Sequence, residues 1–261
     1  MKGLPDTLVV VGAGRVGSAF VRAAEGLGVP VEIVGRAGGV AGGPPPAPGS
    51  HPILVCTRAD DLEDVLARTP DERRRDLVFV QNGMIAPLLA RHGLAGNTQG
   101  LVYFAATSRQ GPIEPGAPSL FHGPHAAAIV AMLDAAGIPA RVVPDREAFA
   151  REVATKLAWN LVFGLLGERF GETVGESATR RRDLVETLAA EAAPVLSRAL
   201  GAEVPVAPLV ERLVAYSLGI PTFRASVKEL RWRNGWLAEA ARAANIATPL
   251  HDRLLAETGH A

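Results

Sequence analysis

Short apolar runs separated by segments of helical periodicity dominate the first half of the chain. Runs of four or five mostly apolar residues predict strands at Leu8–Val11, Val31–Val34, Ile53–Cys56, Leu77–Val80 and Leu101–Ala105. Apolar residues at helical spacing predict helices between the strands at Ser18–Leu27, Asp60–Ala67 and Ile85–Arg91. Strands that alternate with helices are typical of βαβ units and a mostly parallel sheet.

The pattern changes near Pro144. From Arg146 onwards strand signals are absent, and helical spacing continues through Glu147–Leu166, Arg180–Leu200, Val206–Leu218 and Ser226–Ala244. The sequence therefore predicts an α/β domain at residues 1–145 and an all-helical domain at residues 146–261. The proline-rich stretch Gly42–Ser50 suits neither a helix nor a central strand; we interpret it as a surface loop, with a domain linker as the alternative.

Composition narrows the class of protein. The 261 residues include 27 basic and 27 acidic side chains, and 48% are hydrophobic, as in a folded globular protein. The balanced charge weighs against nucleic-acid binding. Apolar runs are too short to span a membrane or to form the core of a signal peptide, so we expect a cytoplasmic protein without a membrane partner. The single cysteine, Cys56, excludes an internal disulfide and fits a reducing compartment.

A glycine motif follows the first predicted strand and opens the first predicted helix. It has the form G-x-G-x-x-G, with Gly12, Gly14 and Gly17 at the glycine positions and Arg15 and Val16 between the last two. The first glycine permits a tight turn, the second lets the backbone approach a pyrophosphate, and the third allows close packing of helix on strand. The motif therefore predicts a Rossmann-type dinucleotide site; the alternative is a glycine-rich turn without a ligand.

The residues after the second and third strands favour NADP(H) over NAD(H). An acidic residue that binds the ribose hydroxyls usually ends the second strand of NAD enzymes, but here the strand is followed by Gly35 and Arg36, and Glu32 lies mid-strand. Arginine suits a 2′-phosphate because its guanidinium is a planar fork. Arg58, just past the third strand, is a second candidate phosphate ligand. For both arginines the alternative is an ordinary surface position.

Lysine is scarce in this chain: only Lys2, Lys156 and Lys228 are lysines among the 27 basic residues. Because arginine otherwise supplies the positive charge, a lysine within an apolar helix indicates chemistry that arginine cannot perform, such as proton donation near neutral pH. Asn160 lies four residues after Lys156 and shares its helix face. The alternatives are a lysine that reaches solvent from the helix edge and an asparagine on a polar face.

Two further motifs carry polar groups. Asn82-Gly83-Met84 follows the fourth strand, and ligands bind at the carboxyl ends of strands in such sheets. Glu229 begins a Glu-x-x-x-x-Asn-Gly motif near the C-terminus. Asn82 could instead be only a turn former, and Glu229 could form a surface ion pair with Arg233, four residues on.

One histidine pair indicates no metal site. His122 and His125 flank a Gly-Pro pair without a nearby cysteine or acidic partner, which predicts a loop rather than a zinc site. We therefore predict no metal.

Taken in order, these motifs resemble the ketopantoate reductase family of 2-hydroxyacid dehydrogenases. The resemblance covers most of the chain: the glycine motif followed by Arg36, Arg58 where the family has a lysine, Asn-Gly-Met from Asn82, Lys-Leu-Ala-x-Asn from Lys156, and Glu-x-x-x-x-Asn-Gly from Glu229. The resemblance implies an N-terminal Rossmann-type domain, a C-terminal helical domain that binds substrate, and a homodimer.

The resemblance also implies a reaction. A hydride would pass from NADPH to the ketone carbon of a 2-keto acid, 2-dehydropantoate in the family's own reaction, which gives pantoate for pantothenate biosynthesis. Lys156 would be the general acid, and Glu229 would hydrogen-bond a distal hydroxyl of the substrate. Asn82 and Asn160 would hold the substrate or the lysine, with Asn82 also beside the cofactor. We expect burial to lower the pKa of Lys156 and a nearby carboxylate to hold it up.

The sequence departs from the family on the substrate side. Gly164 stands where the family commonly has a second asparagine, and Ser226 lies only three residues before Glu229, a doubtful substitute for the family's substrate-binding serine. A different 2-keto acid, or a bulkier one that uses the space at Gly164, stays open. A non-catalytic NADP(H)-binding sensor or partner protein, and an imine reductase on the same fold, stay open as well.

Overall fold

The computed structural model describes residues 3–35, 38–42, 50–114 and 116–260. The chain forms two compact units, one of Met1–Gln81 with Leu88–Phe149 and the other of Asn82–Pro87 with Ala150–Ala261. The sequence analysis grouped Asn82–Pro87 with residues 1–145. These residues pack in the second unit because Met84 belongs to its hydrophobic core and donates a backbone hydrogen bond to the Trp232 carbonyl at 2.8 Å.

The first unit is built on a seven-stranded sheet. Its described strands, with those of a separate two-stranded hairpin (β6 and β7), are β1 (Leu8–Val11), β2 (Val31–Val34), β3 (Ile53–Val55), β4 (Leu77–Phe79), β5 (Thr98–Leu101), β6 (Ala105–Ala106), β7 (Ile113–Glu114), β8 (Ser119–His122) and β9 (Ala140–Val142). The order in the sheet is β2-β1-β3-β4-β5-β8-β9, and every neighbouring pair is parallel except β5 with β8. This is the predicted α/β class with a mostly parallel sheet, which is confirmed.

Helices connect these strands. In chain order they are α1 (Arg15–Gly26), α2 (Leu62–Ala67), α3 (Ala86–Arg91) and α4 (Ala126–Ala135), with 3₁₀ turns at Ala59–Asp61 and Asp71–Asp76. The core of this unit combines the buried side chains of α1 and α4 with those of the sheet, Phe20, Phe121 and Met132 among them. A sheet with apolar side chains buried on both faces explains why its strands appear as continuous apolar runs.

The fifth predicted strand, Leu101–Ala105, is wrong. The strand ends at Leu101, and Ala105 belongs to the hairpin. The β5 sequence Thr-Gln-Gly-Leu lacks an apolar run, and Gly100 is required because a Cβ there would lie 2.3 Å from the Phe121 ring. The periodicity also missed β8, α4 and β9. One consequence is that His122 ends a strand rather than lying in a loop, and His125 directly precedes α4.

The second unit is helical. Its elements are α5 (Arg146–Phe170, of which residues from Ala150 belong to this unit), α6 (Val174–Arg180), α7 (Arg182–Leu200), α8 (Val206–Gly219), α9 (Asn234–Ala244) and α10 (Pro249–Glu257), with a 3₁₀ turn at Leu230–Trp232. Helix α5 is central because Leu157, Leu161 and Leu165 are buried in the core that α7, α8, α9 and α10 also form. Across the described residues, no helix combines the length and the apolar character that a membrane crossing needs.

The predicted helix Ser226–Ala244 is also wrong in its first half. Residues 223–228 form a non-helical segment that lies on α5, and α9 begins only at Asn234. Two glycines of α5 permit this contact: a Cβ at Gly167 would lie 2.4 Å from the Ala225 carbonyl oxygen, and one at Gly164 would lie 3.2 Å from that of Ser226. A contact between residues about sixty positions apart thus overrides the local periodicity.

Candidate active site

Lys156 lies on α5, between buried positions that hold the helix in the core of the second unit. Its side chain is partly buried, with Ala154 and Leu157 buried on either side along the chain. Burial, and then the nearby positive charge of Arg233, lower the pKa of Lys156 from 10.5 to about 7. An amine with that pKa is half protonated at neutral pH, so it can both give and regain a proton there.

Glu229 and Arg233 form an ion pair beside this lysine. Arg233 Nη2 donates to Glu229 Oε2 at 2.5 Å, and Arg233 is only 8% exposed. Glu229 has φ 49°, in the left-handed region, at the turn that precedes the 3₁₀ turn Leu230–Trp232. The four-residue spacing left a surface ion pair on one helix as the alternative for Glu229; the structure shows the pair largely buried and across a turn. The expected carboxylate therefore faces Arg233, whose positive charge acts on Lys156.

The Asn82 turn joins the same cluster. Arg233 Nε donates to the Asn82 carbonyl oxygen at 2.9 Å. Gly83 allows the turn to lie against the 3₁₀ turn, because a Cβ at Gly83 would come within 2.6 Å of the Trp232 Cβ. The Asn82 side chain is exposed, so its amide is accessible to a ligand.

Asn160 is held by its own helix. Its Nδ2 donates to the backbone carbonyl oxygen of Lys156 at 2.8 Å, which fixes the amide one turn from the lysine. This bond uses one of the two N–H donors of the amide and leaves the other donor and the carbonyl oxygen for a ligand. The role expected for Asn160, to hold the substrate or the lysine, stays a prediction.

The open space expected at Gly164 is absent, which corrects the sequence interpretation. The Ser226 carbonyl and the Val227 amide lie over Gly164, and Glu168 Oε2 accepts a hydrogen bond from the Val227 N–H at 2.8 Å. The backbone of the 223–228 segment thus occupies the place where a longer side chain would project. A bulkier substrate cannot use this position.

The glycine turn of the first unit has the geometry that a dinucleotide needs. Gly12 has φ 91°, and a Cβ at Gly17 would lie 2.2 Å from the Gly12 carbonyl oxygen, so both positions require glycine. Gly14, by contrast, has no atom of the described residues within 4 Å of a built Cβ, its chain neighbours apart. The open side at Gly14 and the N–H groups of the helix that starts with Arg15 and Val16 fit a pyrophosphate.

A cavity of about 140 Å³ adjoins this turn. Its lining includes Gly12, Thr57 and three charged side chains, Asp61, Asp64 and Arg68. The Thr57 hydroxyl is buried and has no hydrogen-bond partner among the described residues, so it is available to a ligand. Two carboxylates beside one guanidinium do not distinguish a ribose hydroxyl from a 2′-phosphate.

Of the two arginines predicted to bind a 2′-phosphate, Arg36 lies outside the described residues. Arg58 is exposed and immediately precedes the 3₁₀ turn at Ala59–Asp61. Both assignments stay predictions.

Comparison with solved structures identifies the architecture. The chain resembles ketopantoate reductase from Staphylococcus aureus (TM-score 0.70, 16% identity, 97% of each chain covered) and 2-dehydropantoate 2-reductase from Methylococcus capsulatus (TM-score 0.73, 18% identity, 96% of this chain and 94% of that one). The chain has the ketopantoate reductase fold. The fold is shared with D-mandelate dehydrogenase, solved with NADH and anilino(oxo)acetate (TM-score 0.72, 14% identity, 97% of each chain). No family model and no curated protein sequence matches.

The sequence motifs pointed to Lys156, Glu229 and Asn82. In the second unit, Arg233 hydrogen-bonds Glu229 and the Asn82 carbonyl, and its charge acts on Lys156. The motifs did not indicate Arg233 as a member of the site. The four-residue spacing from Glu229 was the available signal, but only the structure shows that the pair is buried and reaches the Asn82 turn.

Proposed function

We propose that this protein reduces a 2-keto acid to the 2-hydroxy acid with NADPH, and that its substrate is 2-dehydropantoate and its product pantoate. The observation that carries the proposal is Lys156, an amine with a pKa of about 7, in the cluster of Glu229, Arg233 and Asn82. The fold, shared with ketopantoate reductases, and the glycine turn support the same reaction.

The first unit would hold the cofactor. Gly12, Gly14 and Gly17 would bind its pyrophosphate, with the N–H groups at Arg15 and Val16. When bound, NADPH supplies the hydride. The choice of NADPH over NADH rests on Arg36 and Arg58 in the sequence, and the D-mandelate dehydrogenase neighbour was solved with NADH.

The second unit would supply the proton and bind the substrate. The ammonium of Lys156 donates its proton to the ketone oxygen as that oxygen gains negative charge, and the resulting amine recovers a proton from water. A carboxylate has about four acceptor positions, so Glu229 can accept a hydrogen bond from a substrate hydroxyl while it binds Arg233. The exposed Asn82 amide would orient the substrate.

We further propose a homodimer. The Staphylococcus aureus neighbour is described as dimeric, and the second unit exposes the large apolar side chains of Val206, Leu218 and Phe223. Light scattering at micromolar concentration should give twice the chain mass of 27.3 kDa.

The substrate is tested by following the loss of NADPH absorbance with a panel of 2-keto acids that includes 2-dehydropantoate and an aryl 2-keto acid, and with a cyclic imine. We expect 2-dehydropantoate to give a kcat/KM at least about tenfold above the other compounds, a difference of about 1.4 kcal/mol in transition-state binding. Tight NADPH binding without turnover would favour a non-catalytic sensor, and turnover of the imine alone would favour an imine reductase.

A further inference from the structure

Arg233 is a largely buried arginine whose contacts join the separate parts of the candidate active site. Its Nη2 donates to Glu229, its Nε donates to the carbonyl of Asn82, and its charge acts on Lys156. We call these four residues the Arg233 cluster. It connects the Asn82 turn, the turn at Glu229 and helix α5, which are far apart in the sequence.

The stability of helix α9 does not explain an arginine at this place. Arg233 is the N-cap residue of α9, where its side chain makes no capping hydrogen bond, and a positive charge at a helix N-terminus opposes the helix dipole. Burial further disfavours the charge and lowers the pKa of Arg233, an effect that Glu229 opposes. A residue that is unfavourable for its own helix indicates a role in what it contacts.

Two carboxylates of the second unit form ion pairs with arginines. Glu152, one turn before Lys156 on α5, pairs with Arg212 of α8, and Glu229 pairs with Arg233. Of these charges, the one that lowers the pKa of Lys156 is the guanidinium of Arg233. After burial, the charge of residue 233 is therefore the second influence on how a charged Lys156 is tolerated.

We propose that Arg233 is a positioning residue of the reductase site, which fixes Glu229 and the Asn82 turn through one guanidinium and disfavours a second positive charge at Lys156. The proposal rests on the proposed function in one respect: Lys156 is taken as the proton donor. As a positioning residue, Arg233 would act without touching the substrate or the reacting atoms. It acts by making Lys156 release its proton readily and by holding the two groups that bind substrate.

The test measures the acidity of Lys156 without turnover. The folded protein is labelled with a trace amine reagent over a pH series, and peptide mass spectrometry follows Lys156, with the exposed Lys228 as the internal reference. In the wild type, we expect the labelling midpoint of Lys156 near pH 7.

Four variants separate charge from packing. Arg233→Met should raise the Lys156 midpoint by at least about one pH unit, because it removes the repelling charge and leaves Glu229 to attract the ammonium. Arg233→Lys keeps the charge and should leave the midpoint near pH 7. Arg233→Met combined with Glu229→Gln should give an intermediate midpoint. Glu229→Gln alone should leave it at or below that of the wild type. Thermal unfolding of each variant confirms that it is folded.

Two results would overturn the proposal. One is an unchanged midpoint in Arg233→Met. The other is an equal rise in Arg233→Met, Arg233→Lys and the double variant, which would mean that the site has merely loosened. The double variant leaves no unpaired buried carboxylate at position 229, so it keeps the test decisive if Arg233→Met does not fold.

Kinetics with 2-dehydropantoate supply the second readout. For Arg233→Met we expect kcat/KM at pH 6 to fall at least about tenfold, and the pH at which kcat declines to move upward with the labelling midpoint. A kcat profile that does not move contradicts the positioning role. If the labelling results are as expected but no keto acid is turned over, the proposed function fails while the positioning of Lys156 by Arg233 stands.

Discussion

At the scale of single residues, Lys156 shows how a chemical requirement opposes stability. The scarcity of lysine in an arginine-rich chain predicted a functional role for Lys156, and the residue type alone suggested proton donation. The lowering of its pKa by burial was expected, but the positive neighbour was not, because Arg233 lies in a distant part of the chain. The expected carboxylate is present but binds that arginine.

The lowered pKa gives a pH-dependent stability. The pKa of Lys156 is about 7 in the folded protein and about 10.4 in an unfolded chain, so the unfolded state binds more protons between these values. The buried ammonium of Lys156 lowers the free energy of unfolding by its full amount below pH 7. This effect disappears as the pH rises towards 10. Lys156→Met should therefore raise the free energy of unfolding at pH 6 by about 1–3 kcal/mol, discounted for partial exposure, and by much less at pH 10.

Urea unfolding of wild type and Lys156→Met at pH 6 and pH 9.5 measures this difference. Lys228→Met, at an exposed position, is the matched control and should change little at either pH. A gain in stability that is the same at both pH values would indicate simple packing rather than removal of a buried charge.

At the scale of elements, the sequence predicted what local patterns determine. Strands β1, β3 and β4 are buried apolar runs, and the β1–α1 turn carries its own glycine signature. The 223–228 segment could not be predicted, because its backbone lies on glycines of α5 about sixty positions away. Strand β5 was misplaced for a similar reason: Gly100 is required by the Phe121 ring on the neighbouring strand, which the local sequence does not show.

The glycine turn allows a substitution that separates ligand binding from folding. Gly14→Ala introduces a Cβ that, chain neighbours apart, meets no atom of the described residues within 4 Å, so the melting temperature should fall by no more than about 3 °C. The same Cβ would stand in the place proposed for the pyrophosphate, and we expect the Kd for NADPH to rise at least about tenfold.

Fluorescence titration of NADPH measures this effect. Gly26→Ala, at the end of the same helix and also in open space, is the control. Unchanged NADPH affinity in Gly14→Ala would contradict the proposed cofactor site.

The contact of the 223–228 segment with α5 can be tested by substituting a glycine of the helix. A Cβ at Gly167 would lie 2.4 Å from the Ala225 carbonyl oxygen, so Gly167→Ala must displace the segment and should destabilise the protein by about 1–3 kcal/mol. Gly219→Ala, where a Cβ meets no atom within 4 Å, should be neutral or slightly stabilising. Equal stability of the two variants in urea unfolding would refute the packing described for this segment.

At the scale of the whole molecule, the succession of an α/β unit and a helical unit could be predicted because the period of the apolar pattern changes near residue 146. The packing of Asn82–Pro87 in the second unit could not be predicted, because it depends on a turn that fits against Trp232. The fold is shared with ketopantoate reductases and D-mandelate dehydrogenase alike, so the fold by itself leaves the choice of cofactor and substrate to particular side chains.

The predicted preference for NADPH therefore depends on two arginines, Arg36 and Arg58. NADPH should raise the melting temperature more than NADH at equal concentration, and Arg36→Ala should remove most of this difference because the guanidinium would bind the 2′-phosphate. Arg58→Ala should have a smaller effect. A larger shift with NADH in the wild type would contradict the assignment.

The central claim is that the amine of Lys156 gives the proton in the reduction of a 2-keto acid. The most direct measurement is the kcat for NADPH oxidation with 2-dehydropantoate at pH 6.5 in the wild type, Lys156→Ala and the control Lys228→Ala, with NADPH binding measured for each. We predict that Lys156→Ala keeps its affinity for NADPH and loses at least about a hundredfold in kcat, the usual contribution of a general acid, while Lys228→Ala retains the wild-type kcat. A kcat near that of the wild type in Lys156→Ala would contradict the claim.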